Sequence, residues 1–214
     1  KSGGHSAVAK VISQFEKYQD FPIGVSVSVG ASNQDQASVM ALSSAMNMYD
    51  RAGVQFIEVN ESCPNVPGHS SLQTGTRLDD DLLDRLETLF HHFLKRRKRR
   101  LPTLLKLSVD TDLKQLSLLV DAAATLRFDG IVLGNTSTNY TDTSKIVHPS
   151  EKSHFNYFTQ NFGGGVSGRP LFESMLKAVE TAKSTIDRIT TQDEFHIIAV
   201  GGIETASDVK KALE

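Results

Sequence analysis

A single cysteine between two asparagines is the part of the sequence best suited to chemistry. Asn60, Cys63 and Asn65 belong to the segment Asn-Glu-Ser-Cys-Pro-Asn-Val-Pro-Gly at 60–68, which directly follows the apolar run 54–59. That run predicts a short buried strand, and the prolines and glycine after it predict a loop. Strand ends that face loops are where α/β proteins bind ligands. The segment predicts either a reactive loop with a thiol and amides or a polar turn with a chance cysteine.

A lysine inside an apolar strand is the second candidate. Lys106 is flanked by leucines in the predicted strand 104–108. Burying an ammonium group is costly unless it meets an anion, so we expect Lys106 to face a ligand rather than solvent. Asn135 and Thr136 cap the next predicted strand and place an amide and a hydroxyl at its tip.

Two glycine-rich segments precede predicted helices late in the chain. One covers 164–168 and ends at Gly168, and the other is the pair Gly201 and Gly202. Exposed backbone N–H groups in such loops can cradle a phosphate. A glycine pair alone serves ordinary turns equally well, but two such loops after late strands favour the phosphate site of a barrel.

Alternating strands and helices are predicted to position these groups. Strands are expected at 23–29, 54–59, 104–108, 129–136 and 195–202, and helices at 6–18, 32–53, 79–97, 113–126, 170–186 and 207–214. This alternation predicts βαβ units and a parallel sheet in one α/β domain over 1–214, with a long polar excursion at about 137–163. A (β/α)₈ TIM barrel needs eight strands, so five imply a barrel that is incomplete at both ends. The alternative is an open, doubly wound sheet of five strands.

The bulk composition argues against several kinds of partner. With 214 residues and a formal net charge of −2, the chain has no global attraction for nucleic acid or an anionic membrane. One cysteine excludes an internal disulfide framework and, without zinc-ligand spacing, a zinc site, so no metal is expected. No apolar run reaches the length of about 18 residues that a transmembrane helix needs. The basic run 95–100 ends a predicted helix, where cations are favoured, although RNA or an anionic surface is the alternative ligand.

Five motifs, in order along the chain, resemble those of the dihydroorotate dehydrogenase family. The segment 60–68 resembles Asn-Leu-Ser-Cys-Pro-Asn-Val-Pro-Gly of the soluble class, and Glu61 is its one departure. The other segments, 105–110, 134–137, 164–171 and 200–203, resemble Val-Lys-Ile-Ala-Pro-Asp, Thr-Asn-Thr-Thr, Gly-Gly-Leu-Ser-Gly-Arg-Pro-Leu and Val-Gly-Gly-Ile. The shared order and spacing are far more specific than any one motif.

The resemblance implies a flavoprotein oxidoreductase of pyrimidine (UMP) biosynthesis that oxidises dihydroorotate to orotate. FMN would lie over the barrel mouth, and Cys63 would remove the C5 proton of the substrate while the C6 hydride passes to flavin N5. The resemblance assigns pyrimidine binding to Asn60, Asn65, Asn135 and Thr136, and flavin binding to Lys106, Asn135, Gly168, Gly201, Gly202 and, with less certainty, Ser26. Glu61 would repel the flavin or the substrate carboxylate if it pointed at either.

The resemblance leaves the class and the second electron acceptor open. Cys63 resembles the soluble class, which uses fumarate, whereas Ser-Ser-Leu-Gln at 70–73 and Gly-Arg-Pro-Leu at 168–171 resemble the membrane-associated class, which uses quinone. The expected location is cytoplasmic, or at a membrane such as the mitochondrial inner membrane through a segment outside this chain. A homodimer is compatible with either class. The functional alternatives are a tRNA-dihydrouridine synthase, which also resembles this chain in its FMN barrel and Cys-Pro loop, another FMN-barrel oxidoreductase, and a non-catalytic barrel homologue.

Overall fold

Five parallel strands form the centre of the fold. The computed structural model describes residues 4–15, 21–29, 36–62, 75–189 and 194–214. Within them the strands lie side by side in chain order, and they are β1 (Gly24–Val27), β2 (Phe56–Asn60), β3 (Thr103–Leu107), β4 (Gly130–Leu133) and β5 (His196–Ala199). Every neighbouring pair is parallel.

Helices connect the strands, as the alternation in the sequence predicts. In the described residues they are α1 (His5–Ile12), α2 (Gln36–Arg51), α3 (Asp80–His92), α4 (Leu113–Thr125), α5 (Tyr140–Ile146), α6 (Lys152–Asn161), α7 (Phe172–Ile186) and α8 (Ala206–Leu213). Side-chain caps mark several of their starts: Asp79 accepts a bond from the N–H of Leu82 at the start of α3. Asp112 does the same for two N–H groups of α4. These caps satisfy N–H groups that have no partner within the helix.

The strand order distinguishes between the two predicted sheets. Right-handed crossovers that always move to the next position place all helices on one side of the sheet, whereas a doubly wound sheet reverses direction and is covered on both sides. Side chains alternate along a strand, and one side of this sheet, the helix face, packs against the helices through the fully buried residues Ile57, Val59, Leu105 and Ile131. The other side, the inner face, carries Ser26, Glu58, Asn60 and Lys106 in register across β1 to β3. This is the arrangement of a barrel wall.

The structure ends one predicted helix earlier, begins another later, and places helices in the polar excursion. The helix predicted at 79–97 ends at His92, because the backbone of Phe93 leaves the helical region and a 3₁₀ turn follows. Arg169–Leu171 forms a 3₁₀ turn, so the helix predicted from Pro170 begins at Phe172. The polar excursion contains α5 and α6. Backbone bonds of 2.8 and 2.9 Å between Ser137 and Val166 close its base.

Two members of the basic run anchor the chain at the amino-terminal ends of the strands. Arg97 makes a bidentate contact with Asp129 at 2.5 and 3.1 Å, and Arg99 binds Asp50 at 2.6 Å. Arg97 also donates to the main-chain oxygen of Leu101 at 2.7 Å. These contacts give Arg97 and Arg99 structural roles that a solvated helix end would not require.

Candidate active site

A lysine, a glutamate and a serine contact one another on the inner face. Lys106 Nζ lies 3.4 Å from Glu58 Oε1, and Ser26 Oγ donates to the same oxygen at 2.6 Å. The lysine side chain is 21% exposed and the glutamate side chain 16%. Lys106 therefore has an anionic partner on the neighbouring strand, as the cost of burying its charge requires. Its ammonium group lies on the inner face of the sheet, where it can stabilise negative charge on a ligand.

The tips of β2 and β4 are joined through one buried serine. Ser62 donates to Asn60 Oδ1 through its N–H at 3.2 Å and its hydroxyl at 3.0 Å. Asn135 Nδ2 donates to Ser62 Oγ at 2.8 Å and to Ser62 O at 3.1 Å. The structure thus brings the two predicted amides together at the carboxyl end of the sheet. No acceptor among the described residues takes the Nδ2 group of Asn60, so this donor can serve a ligand.

Thr136 lies beside Asn135 but is closely packed. Its N–H donates to Asn135 Oδ1 at 2.9 Å. A Cβ built on Gly165 would lie 1.8 Å from Thr136 Oγ1, so the glycine is needed for the excursion to return this close to β4. The predicted cysteine and the second loop amide, Cys63 and Asn65, lie outside the described residues. Ser62 is the last described residue before them, and it lies at the tip of β2.

Gly134 allows Asn135 to take its position. Its φ is +132°, and a Cβ there would lie 1.8 Å from the carbonyl oxygen of Val200. The Val200 N–H donates to Leu133 O at 2.9 Å, which brings the end of β5 against the end of β4. Any side chain at 134 would separate these two strand ends. The rim therefore depends on a glycine at this position.

The two glycine segments lie against each other at the same end of the sheet. A Cβ on Gly202 would lie 3.0 Å from both Gly168 O and the Phe172 nitrogen. Gly168, Gly201 and Gly202 have φ values of +82°, +126° and +69°, a region that other residues rarely adopt. No atom of the described residues lies within 4 Å of a Cβ placed on Gly168. The two loops thus meet next to the start of α7, where Gly168 is open and Gly201 and Gly202 pack against Leu171 and Phe172.

Arg169 fastens these glycine loops to the last helix. Its Nη1 lies 2.8 Å from Asp208 Oδ2 and donates to Gly202 O at 3.2 Å, and its guanidinium stacks 4.4 Å over the Phe172 ring. The Arg169 guanidinium, helped by bonds from Thr205 and two backbone N–H groups, holds the pKa of Asp208 well below its usual range. Both loops are therefore held by a charged bond that stays intact at neutral pH.

Glu61 points away from the predicted ligand. Its carboxylate lies 3.0 Å from Arg85 Nη2 on α3, and both side chains are 10% exposed. Alternation along the chain explains this direction, since Asn60 faces inward and Glu61 therefore faces the helices. The repulsion expected of a carboxylate directed at the flavin or substrate does not arise in this arrangement.

Sequence reasoning missed three residues of the site: Glu58, Ser62 and Arg85. A charged residue in an apolar strand singled out Lys106, and the same signal was present in Glu58, on the next strand. Ser62 carried no signal beyond its place beside the cysteine. Arg85 gave none, because it lies on a helix rich in charged residues, 24 positions from Glu61. Asp110, by contrast, belongs to a recognised motif, and it anchors the excursion by accepting bonds from Ser137 Oγ and Thr138 N at 2.6 and 2.8 Å.

Two further properties concern the described residues as a whole. None of their helices is long and apolar enough to span a membrane. Within the same ranges, no group of three or more His, Cys, Asp or Glu side chains is arranged to hold a metal ion.

Comparison with known proteins identifies the family. The profile described as Dihydroorotate dehydrogenase matches residues 1–214. Among similar proteins, dihydroorotate dehydrogenase (quinone) of Shewanella sp. (strain W3-18-1) is 31% identical over 153 residues, which are 72% of this chain and 40% of the relative. The protein of the same name from Shewanella sediminis is 33% identical over 159 residues, 74% of this chain and 42% of the relative. The chain thus spans about two fifths of the length of these relatives.

Solved structures confirm the fold. DHODH of Eimeria tenella in complex with ferulenol superposes with a TM-score of 0.71 at 20% identity, covering 98% of this chain and 56% of that one. The ligand-free type of DHODH from the same organism superposes with a TM-score of 0.72 at 21% identity, covering 98% of this chain and 58% of that one. The predicted (β/α)₈ barrel, present here in part, is therefore confirmed over the open doubly wound sheet. From the profile that spans it and relatives that are 31–33% identical to it, the chain belongs to the dihydroorotate dehydrogenase family.

Proposed function

We propose that the complete protein oxidises dihydroorotate to orotate in pyrimidine biosynthesis. The observation that carries the proposal is the pair of amides, Asn60 and Asn135, joined through Ser62 at the tips of β2 and β4. A pyrimidine ring presents alternating N–H and carbonyl groups, which amide side chains match. Lys106 stands on the same inner face, beside Asn60 in the register of β2 and β3. Membership of the family supports the same substrate.

The residues present fit FMN as the cofactor. Gly168, Gly201 and Gly202 come together near the start of α7, and their backbone N–H groups, with the open space at Gly168, would bind the phosphate. Lys106 would bind the pyrimidine edge of the ring system and stabilise negative charge there, and Ser26 is a further contact on β1. Bound FMN would supply the hydride acceptor, while the protein positions the substrate and tunes the site.

The remaining roles fall to the loop after β2. Cys63 would act as the base that takes the C5 proton, because a thiolate is the proton-accepting form of cysteine. It follows Ser62 directly in the sequence, and Ser62 lies at the rim between the two asparagines. Asn65 would add a third amide, and Thr136, beside Asn135, would also hydrogen-bond the pyrimidine. Pro64, Pro67 and Gly68 give this loop the composition of a lid that excludes water.

Quinone is the proposed second acceptor. The relatives from Shewanella are named for it, whereas Cys63 is the feature that favours fumarate. A quinone is apolar and is met at a membrane surface, so this choice implies work at a membrane, while fumarate implies work in the cytoplasm. A homodimer stays a prediction.

Steady-state oxidation of dihydroorotate by the complete protein tests the proposal. Orotate should form with a soluble quinone analogue and more slowly with fumarate. Faster turnover with fumarate would reverse the proposed acceptor, and no orotate with either would favour the non-catalytic homologue. Family membership argues against the tRNA-dihydrouridine synthase, which a titration of tRNA binding against salt would detect, because phosphate contacts give a steep salt dependence.

A further inference from the structure

A cavity with a strongly basic wall lies at the amino-terminal ends of β3 and β4. Its volume is about 250 Å³, and six cationic side chains line it: Lys95, Arg97, Lys98, Arg99, Arg100 and Arg127. The wall contains a single carboxylate, that of Asp129. The candidate active site lies at the carboxyl ends of the same strands, so this basic cavity is separate from it.

Two of the cations are fixed by carboxylates and give the wall a rigid part. Asp129 binds Arg97 at 2.5 and 3.1 Å and also accepts a bond from the Thr103 N–H at 2.8 Å. Arg99 binds Asp50 at 2.6 Å. Because these guanidinium groups are already held in place, they lose little conformational freedom when a ligand binds.

The other cations give the wall an excess of positive charge. Lys95 and Lys98 are exposed and form no ion pair within the described residues. Arg100 lies 3.8 Å from Asp129, a carboxylate that Arg97 already binds. A concave wall lined by charges of one sign focuses their field and raises the local concentration of ions of the opposite sign. The ligand that fits the basic cavity is therefore an anion.

The backbone of Arg127 gives independent support. Its φ is +62°, and no other residue of the described ranges, glycines aside, has a positive φ. Arg127 and Phe128 close the end of α4 by donating to the carbonyls of Ala124 and Ala123, and glycine usually occupies the first of these two positions. An arginine is disfavoured in this conformation, and residues held in such conformations cluster at ligand sites. Here the side chain lines the basic cavity.

The composition and size of the wall distinguish between kinds of anion. No aromatic side chain is among the described residues that line it, and Leu94 and Leu101 are only 3% and 0% exposed. Single-stranded RNA is held by stacking on aromatic rings, and a membrane surface by apolar side chains that enter it. The volume is below the roughly 300 Å³ of pockets that enclose drug-sized ligands. A short chain of phosphates fits both properties, and arginine forks match its oxygens.

We propose that the basic cavity binds a chain of phosphates, which either an inorganic polyphosphate or the tail of a nucleoside triphosphate would supply. Arg97 and Arg99 provide a fixed frame, and the exposed cations of the wall neutralise the phosphate charge. The inference is independent of the proposed oxidation of dihydroorotate, because no residue of the basic cavity belongs to the candidate active site.

Calorimetric titration of the complete, flavin-loaded protein with inorganic tripolyphosphate tests the proposal. Lys98→Ala and Arg127→Gly each remove one cation of the wall, and glycine suits the positive φ at 127. Lys177→Ala is the matched control, since it removes an exposed cation of α7 that is not part of the wall. Thermal midpoints are recorded for every variant to show that it is folded.

Tripolyphosphate should bind unaltered protein about tenfold or more tighter than orthophosphate, because it meets several cations at once. Its affinity should fall as salt is added. Lys98→Ala and Arg127→Gly should each weaken it about tenfold, the scale of one charged hydrogen bond, and Lys177→Ala should bind it normally. ATP that binds as tightly as tripolyphosphate would support a nucleotide as the source of the chain, and much weaker ATP would support the inorganic anion.

Two kinds of result would overturn the proposal. The first is tripolyphosphate that does not bind at low salt, or that binds Lys98→Ala, Arg127→Gly and Lys177→Ala with equal affinity. The second is single-stranded RNA, or vesicles that contain anionic lipid, binding about tenfold or more tighter than tripolyphosphate and weakened by the same two variants. Either macromolecular ligand would then be the occupant in place of a phosphate chain.

Discussion

Lys106 and Glu58 form an ion pair across neighbouring strands on the inner face of the sheet. Their charged atoms are 3.4 Å apart, and Ser26 donates to the same glutamate oxygen at 2.6 Å. A strongly hydrated ammonium group in this position is held by one carboxylate while it faces the proposed flavin site. The pair places a positive charge where an anionic ring edge would need it.

Lys106→Ala should abolish flavin binding or most of the rate of flavin reduction. The variant removes the cation of the inner face and leaves Glu58 to repel an anionic ligand. A loss of about 100-fold or more in reduction rate is expected for a group that stabilises developing charge. Stopped-flow reduction by dihydroorotate measures it. Lys98→Ala, at an exposed site, is the control; full activity in Lys106→Ala would refute the assigned role.

Ser62→Ala should weaken orotate binding without unfolding the protein. The hydroxyl donates to Asn60 and accepts from Asn135, so its removal leaves each amide bonded to residue 62 only through the backbone of that residue. Both lost bonds lie within the protein and act on the ligand only by aligning the two amides, so their energies of about 0.5–1.5 kcal/mol each limit the affinity loss to about 150-fold. Titration of the flavin spectrum with orotate measures the loss. Ser44→Ala, whose hydroxyl bonds only within its own helix, should bind normally, and equal affinities in the two variants would count against the bridge.

Gly134→Ala should be far more destabilising than Gly53→Ala. Both glycines have positive φ, and an alanine pays about 1–2 kcal/mol for that conformation. At 134 the added Cβ also meets Val200 O at 1.8 Å, whereas at 53 no described atom lies within 4 Å. Unfolding in urea should show an extra loss of about 2 kcal/mol or more for Gly134→Ala, the scale of overpacking. Similar losses at the two positions would mean that the strand ends do not approach as closely.

Acid should destabilise the protein through Asp208. Because Arg169 lowers the folded-state pKa of this carboxyl, the contribution is present above the unfolded pKa of about 3.9 and is lost as pH falls below it. Arg169→Leu and Asp208→Asn should each flatten the fall of unfolding free energy between about pH 4 and pH 2. Denaturant unfolding across that range supplies the measurement. A slope that is unchanged in both variants would show that the pair contributes nothing to acid stability.

The sequence was sufficient to predict the strands of the sheet and to single out individual residues, but not to predict the contacts between those residues. Alternating apolar runs located all five described strands, and a lysine among leucines drew attention to Lys106, which lies on the inner face. The contact of Lys106 with Glu58 depends on the register of β2 against β3, which no local pattern encodes. Likewise, Asn135 meets Ser62 across 73 positions.

One helix end was mispredicted and the direction of Glu61 was left open, and both have local physical causes. The helix predicted to reach residue 97 ends at His92, because Phe93 and Leu94 are both buried after the chain turns, and helical periodicity does not foresee that turn. Glu61 was expected to repel the ligand only if it pointed at it, and the period-two alternation after Asn60 directs it to the helix side instead. Its partner Arg85 was not recognisable, since arginine on a charged helix is ordinary.

The most direct test of the account is the visible spectrum of the complete protein before and after dihydroorotate is added without oxygen. The yellow flavin band should bleach within the turnover time in unaltered protein. In Cys63→Ala the protein should remain yellow and bleach about 100- to 10,000-fold more slowly at neutral pH, the range that a general base contributes. A protein that binds no flavin, or a flavin that dihydroorotate leaves oxidised, would contradict the account.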